Sequence, residues 1–454
     1  MTFGDRSRSS PFEPLHLTKT QLQQCQDLTC QLLDRTLRSY DERNECVDSH
    51  LSAPRHHADL DRNRWKQLKT QANVSLYAER SDSPWRDFHS PGSNSSLLAV
   101  GTIHDTLNEV MFGLETPDFA AIQLRAETLF KHPVDGAVLA QFAGPTETDP
   151  FQFMGITWMT GQRSWPLNLV TQPRDFILAS ATGVMLHTNG DLIGYEVVHS
   201  IDLPQCPPLP KPTVRGKIMY GVIYTQRDDG DVDVFVQMHV ETRSPLHDKL
   251  VVAEVWESVL GFWNAPSLSE AKKLQWCLNQ KNALSWKSEV TLDDDSSGIK
   301  ARHCENCPNK RSSTTRCRST HLSDHNTCAL CMVQICSSCR VKRTLKEPDE
   351  NGNLDLHIAV CRVCMLFVQH QEPTEIALDN QKQREARQNT ESKSEKKKHS
   401  AFGGEWGLPM FSPGRYPSIS VSDLLRMINS LSDVGVNQVQ RASKRKMQPI
   451  IPVG

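Results

Sequence analysis

The chain has no unbroken apolar run of the ~18 residues needed to cross a bilayer. It also has no bias of charge, with a formal net charge of −2 and a pI near 6.8 over 454 residues. The first lack predicts that any membrane contact is peripheral. The second predicts no general attraction to nucleic acid, which needs a basic surface. Apolar residues make up only 38% of the chain, so stretches without a packed core are expected. Met1 to Pro14 holds Arg6 and Arg8 but no apolar segment, so no secretory leader is expected. Residue 2 is Thr2 and no cysteine stands at the C-terminus, so neither myristoylation nor prenylation is expected. Gly-x-Ser-x-Gly, a phosphate loop, a dinucleotide fingerprint and His-Glu-x-x-His are all missing, and no enzymatic activity is expected.

Cysteine is abundant and unevenly spread. Nine of the fourteen lie between Cys304 and Cys364. Without a secretion signal, such a cluster reads as metal ligands and not disulfides. The pairs are Cys304/Cys307, Cys328/Cys331, Cys336/Cys339 and Cys361/Cys364, each with two residues between ligands. That spacing turns both thiolates onto one tetrahedral zinc at ~2.3 Å. Eight ligands make two closed Zn2+ sites, structural in character because no position is left for water or substrate. Only four residues separate Cys331 from Cys336, too few for two independent ribbons. A cross-brace follows, with the first and third pairs on one ion and the second and fourth on the other. Some 60 residues with little apolar material should depend on these ions to fold. Cys317 and His321 in place of Cys328 and Cys331 would give a RING-type order. RING spacing wants a further Cys two or three residues after the His, but Cys328 is seven away. His303, His325 and His357 are read as surface residues.

Ahead of the cysteines the patterns are mixed. Leu17, Leu22, Leu28, Leu32, Leu33 and Leu37 predict a helix over 15–40, and Val74, Leu76 and Tyr77 a strand over 65–79. A strand 97–102 and a helix 103–113 follow. Asn189-Gly190 and Asp229-Gly230 each mark a hairpin, between strands 175–186/192–202 and 217–226/231–240. Val232, Val234 and Val236 alternate with Asp231, Asp233 and Phe235, predicting an antiparallel meander with one face inward. Two helices, 248–263 and 267–278, come next, the second with Ser267 and Glu270 as a capping box. Asp293-Asp294-Asp295-Ser296-Ser297-Gly298 belongs to an acidic linker over 286–298. Beyond 371 the chain reads as a mostly disordered basic tail to 454, in which 372–400, rich in Gln, Glu, Lys and Arg, is either an exposed helix or disordered, with a short amphipathic helix at 420–431 (Val421, Leu424, Leu425, Ile428, Leu431).

The all-cysteine cross-brace resembles the FYVE zinc finger over 299–370. That family grips a phosphoinositide with a Trp-x-x-Asp before the first Cys, a basic run around the third and an Arg-Val-Cys at the seventh. Here those places hold Ile299-Lys300-Ala301-Arg302-His303, Asp324-His325-Asn326-Thr327-Cys328-Ala329 and Ala359-Val360-Cys361. The headgroup site is therefore degraded, with Arg340, Lys342 and Arg343 the candidate contacts left, and Leu322 is the one apolar residue in the expected membrane loop. Trp165-Pro166, Pro173-Arg174-Asp175-Phe176, Gly194-Tyr195, His199-Ser200-Ile201-Asp202-Leu203-Pro204 and Arg215-Gly216 resemble START-like lipid-binding domains, over 15–285. The resemblance implies an α+β helix-grip fold around a hydrophobic ligand, followed by the small two-zinc module. It implies a cytoplasmic lipid-binding adaptor, peripheral on endosomal membranes and open to protein partners. A protein scaffold without lipid binding and a RING-type ubiquitin-ligase-like module are the alternatives.

Overall fold

The computed structural model describes residues 10–48, 60–80, 94–130, 134–161, 172–241, 245–288, 327–349 and 352–401. The acidic linker beyond Ser288 and the helix expected at 420–431 lie outside them. The described residues form two compact units, one from 10–107 and 135–259, the other from 108–134 and 260–401.

The first unit is an antiparallel sheet with a long helix against it. Helix α1 (Lys19–Asp48) starts on a reciprocal cap: Gln21 N–H donates to Thr18 Oγ1 at 3.2 Å, and Thr18 N–H to Gln21 Oε1 at 3.0 Å. Then come β1 (Trp65–Gln71), β2 (Val74–Glu79) and β3 (Asn94–Ile103), and after an excursion through the second unit β4 (Val134–Ala143), β5 (Phe153–Gly161), β6 (Arg174–Leu186), β7 (Leu192–Ser200), β8 (Val214–Arg215), β9 (Met219–Gln226) and β10 (Val232–Glu241). The sheet order is β1-β2-β3-β10-β9-β7-β6-β5-β4, with β8 alongside β6. Long-range closure is thus made by β3 with β10, in register from Val232↔Ile103 to Glu241↔Asn94.

Both expected hairpins form, Gly190 (φ 90°) and Gly230 (φ 92°) taking the left-handed positions their turns require. The single strand expected at 65–79 is instead a hairpin, because Ala72 turns the chain at φ 50°, a conformation that no glycine advertised. The meander is also not one-sided. Phe235 packs with Leu32, Leu33, Leu37 and Tyr40 of α1, while Val232, Val234 and Val236 on the opposite face are equally buried.

Helix α1 is held by more than its leucines, each of which contributes ~1.5–3 kcal/mol on burial. Tyr40 OH meets Thr225 Oγ1 at 2.8 Å, and Arg43 forks onto Asp233 at 3.0 and 3.2 Å. Gly221 lets the helix come close: a Cβ there would stand 2.1 Å from Thr36 Oγ1. Asp175, fully buried, is matched by the Arg215 guanidinium, which also donates to the carbonyls of Cys206 and Pro207 at 3.1 Å. That pair pins the 201–215 loop to the start of β6.

Helix α4 (Pro245–Trp263) ends at Asn264, and α5 (Ala265–Ser288) follows at once. The second unit contains α5, α2 (Leu107–Leu114), α3 (Phe119–Arg125), the hairpin β11 (Arg340–Asp349)/β12 (Gly352–Cys361), α6 (Arg362–Gln369) and α7 (Pro373–Ala401). Segment 373–401 is helix, the first of the two readings its composition allowed. Its Asp379 accepts from Trp276 Nε1 at 2.7 Å and Gln280 Nε2 at 3.0 Å, both on α5. The capping box does not form, because Glu270 is turned to Arg343 Nε at 2.7 Å and Gln369 Nε2 at 3.0 Å.

Candidate metal centre

Cys328, Cys331, Cys361 and Cys364 bring their four sulfurs within 4.8 Å of one another. These are the second and fourth pairs. The first of them sits on a knuckle: Cys328 N–H donates to Val333 O, Met332 N–H to Cys328 O, and Thr327 bridges Gln334. Ala329 N–H donates to Ala359 O at 2.8 Å, which pins the knuckle to β12. The other pair straddles the start of α6. Cys361 is its N-cap, with Sγ accepting the Cys364 N–H at 3.3 Å. A thiolate there gains from the positive end of the helix dipole.

The chemistry of the donor set fits zinc. A tetrahedron with Zn–S of ~2.3 Å has edges of ~3.8 Å, and Cys331 Sγ stands 3.9 Å from Cys361 Sγ. Burial opposes ionisation of Cys328, yet the N–H groups of Cys331, Cys361 and Leu330 converge on it and lower its pKa below the usual thiol value. Burial raises the pKa of Cys331 and Cys364, and the neighbouring sulfurs add to the rise for Cys364. Four sulfurs this close cannot all carry charge unless a cation sits among them. A soft divalent ion held by four thiolates meets that need, and a closed set of four cysteines is structural.

Of the other pairs, Cys304 and Cys307 lie outside the described residues, as do Cys317, His303, His321 and His325. Cys336 and Cys339 form a knuckle of their own, Cys339 N–H donating to Cys336 O at 3.2 Å, and Cys339 O accepts from Arg362 N–H at 3.2 Å. His357 bonds Thr344 across the hairpin at 2.9 Å and is no ligand of the four-sulfur cluster.

The candidate headgroup residues do not converge. Strand periodicity puts Arg340 and Lys342 on one face of β11 and Arg343 on the other. Arg343 is ion-paired with Glu270 of α5, whose carboxyl, despite partial burial, is lowered in pKa by that contact and by Gln369.

Sequence reasoning missed what supports this module. Leu274 and Cys277 of α5 share one buried cluster with Cys328, Ile335, Leu345, Val360, Met365 and Val368. Two adjacent lysines of α5 add polar clamps. Lys272 Nζ donates to the carbonyls of Phe112 and Glu115 at the end of α2, at 2.6 and 3.0 Å. Lys273 Nζ donates at 2.8 Å to the carbonyl of Gln369, the last residue of α6, and pairs with Glu109. Cations at helix C-termini satisfy the last carbonyls. Cys277 is a buried core thiol, and the apolar spacing of Leu274, Cys277 and Leu278 is the hint in the sequence that its helix serves the cysteine module.

No protein-family model and no curated protein matches the chain. Several solved structures show a likeness, among them the following three. Human StAR-related lipid transfer protein 5 aligns over 53% of this chain and 98% of its own, at 14% identity and a TM-score of 0.36. Human STARD10 aligns over 56% and 84%, at 14% identity and a TM-score of 0.33. A STAR-related lipid transfer protein fragment from Xanthomonas axonopodis aligns over 45% and 99%, at 15% identity and a TM-score of 0.30. Scores this low identify neither a ligand nor an activity for this chain.

Proposed function

We propose that this chain is a non-enzymatic lipid-binding adaptor that works at a membrane surface. The observation that supports the reading is the sheet: one antiparallel layer in the order β1-β2-β3-β10-β9-β7-β6-β5-β4, with helix α1 against it. That is the helix-grip arrangement implied by the START-like resemblance of residues 15–285, and its apolar interior suits a hydrophobic lipid. The acidic linker, which begins only after α5 ends at Ser288, leads into a FYVE-like module, 299–370, folded on two zinc ions. Cys328, Cys331, Cys361 and Cys364 hold one of them, and Cys304, Cys307, Cys336 and Cys339 the other. The four-sulfur cluster is complete without Cys317 or His321, which favours the all-cysteine order over a RING-type one. The protein then resides in the cytoplasm and visits endosomal membranes peripherally.

The test is lipid extraction and mass spectrometry on the purified full chain, with uptake of a fluorescent sterol and a fluorescent phospholipid measured beside it. A bound lipid, or saturable uptake of either probe, is the expected result. An empty extract and no uptake would overturn the lipid reading. The ion pair of Arg343 with Glu270 favours, for the zinc module, a second reading as a protein-binding scaffold without phosphoinositide recognition.

A further inference from the structure

Helix α6 is apolar on both sides. Met365 and Val368 face the buried cluster, while Val363, Leu366 and Phe367, spaced i, i+3, i+4, stay 63%, 55% and 59% exposed. A helix apolar all round is ordinarily enclosed on every side. Met332 is 63% exposed as well, at the tip of the first knuckle and at φ 60°, a conformation unusual for any residue but glycine. Met332 directly follows Cys331 and Val363 directly precedes Cys364, and those two sulfurs belong to the same 4.8 Å cluster. Met332 and Val363 are thus each next in the chain to a sulfur of that cluster, and Leu366 and Phe367 continue the face of α6 that Val363 begins. The other exposed large apolar residues among those described, Leu186 and Leu192, sit as a cross-strand pair at the tip of a hairpin in the other unit.

Charge around the patch is segregated. Arg362 opens α6, and Lys342 lies two residues from the end of β11 that pairs with Cys361; both are exposed. Acidic positions of the hairpin, Glu347, Asp349 and Asp355, fall toward its far turn. Asp355 is paired with Lys346 at 2.6 Å, and Glu372, just past α6, accepts from Asn108 at 3.1 Å. An apolar stripe edged with cations is complementary to an anionic lipid surface, whose headgroups take the charges while the acyl boundary takes the side chains.

We propose that the outer face of α6, together with Met332, inserts into the interface of an anionic bilayer, with Lys342 and Arg362 at headgroup level. The proposal rests on the peripheral-membrane reading above but assigns the contact to α6 and not to Leu322, and it calls for no specific headgroup pocket.

The test is flotation of the zinc-loaded full chain with vesicles of phosphatidylcholine alone and of phosphatidylcholine with phosphatidylserine. The wild type is expected to float with the anionic vesicles and to be released by salt. Leu366→Asp/Phe367→Asp should lower the partition at least ~10-fold, and Leu186→Asp, on the other exposed pair, should leave it unchanged. Zinc content and melting temperature verify that the double variant is folded; if it is not, Val363→Gln/Phe367→Gln decides in its place. Equal flotation of the α6 variant and the wild type would overturn the α6 assignment and leave the membrane reading standing. Failure of the wild type to float on either vesicle would overturn both. A wild type that self-associates through this face, shown by light scattering as a dimer that the variant abolishes while flotation is unchanged, would also overturn it.

Discussion

Replacing Cys361 by Ser strikes the metal centre at the ligand that also caps α6. Its sulfur stands 3.9 Å from Cys331 Sγ, caps α6 by accepting the Cys364 N–H, and is buried. A serine oxygen is shorter, harder and hardly ionised, so one of four zinc–thiolate bonds is lost. Altering only an outer-shell partner of a zinc ligand costs 10–100-fold in affinity, so losing the ligand should cost at least ~100-fold. That is ~2.7 kcal/mol, set against the ~10–16 kcal/mol of a structural zinc site. The variant should therefore still hold zinc in plain buffer but surrender it to a competing chelator. Titration of the full chain with a chromogenic chelator, alongside elemental analysis, reads this out. The wild type should carry two zinc ions per chain and resist the chelator, while Cys361→Ser should release one ion at least ~100 times more readily. Identical release curves, or a wild type without zinc, would refute the assignment of these sulfurs.

Other positions give separate checks. Asp175→Ala strands the Arg215 guanidinium, at 11% exposure, without its carboxylate; the loss should be ~3–5 kcal/mol, a drop in melting temperature on the order of 10 °C by circular dichroism. Lys273→Met leaves Glu109 and the Gln369 carbonyl without their ammonium, and a destabilisation of ~3 kcal/mol or more is expected in chemical unfolding, partly recovered by adding Glu109→Gln. Asp149 is pushed up to about 6 by burial, against the opposing N–H bonds from Val184 and Phe151. The unfolded chain gives up that proton first, near its ordinary value of 3.8, so between pH 4 and pH 6 the native state binds more protons and stability falls as pH rises. The contribution is whole below pH 4 and lost above pH 6, ~3 kcal/mol in all, and Asp149→Asn should flatten that part of a pH series of unfolding curves.

Much of the architecture was legible where local chemistry decides it. Asn189-Gly190 and Asp229-Gly230 located two hairpins because their turns need left-handed backbone and those residues supply it. The cysteine pairing was legible because a four-residue gap restricts which pairs can share an ion, and the cluster of Cys328, Cys331, Cys361 and Cys364 is the second-with-fourth combination. Where partners far along the chain decide, the signal failed. Ala72 turns the β1–β2 hairpin at positive φ with no glycine to mark the place, only Asn73 beside it. Glu270 looked like a cap for its own helix and serves Arg343, 73 residues away. Lys272 and Lys273 give no sequence signal of burial, since an adjacent charged pair on a helix is ordinarily exposed; only the helix ends that meet them explain it.

Helix α5 shows why the metal should matter beyond the cysteines. Ser269, Lys272 and Lys273 reach α2, while Trp276 and Gln280 hold Asp379 of α7. Glu270, Lys273, Leu274, Cys277 and Lys281 engage the cysteine module, Lys281 through Ala329 O at 2.7 Å. The helix thus packs, through Leu274 and Cys277, on a cluster that includes two of the four cysteines that could hold the ion, Cys328 and Cys361. Part of the free energy of metal binding must then appear as order in α5, because the apo cluster repels itself and its core partners move with it. Hydrogen exchange with and without chelator measures that share. Amides of 274–281 should exchange at least ~10-fold faster in the stripped protein, with β9 and β10 as the internal reference. If 328–364 opens while 274–281 keeps its protection, the helix stands by itself and the shared core does not couple it to the metal.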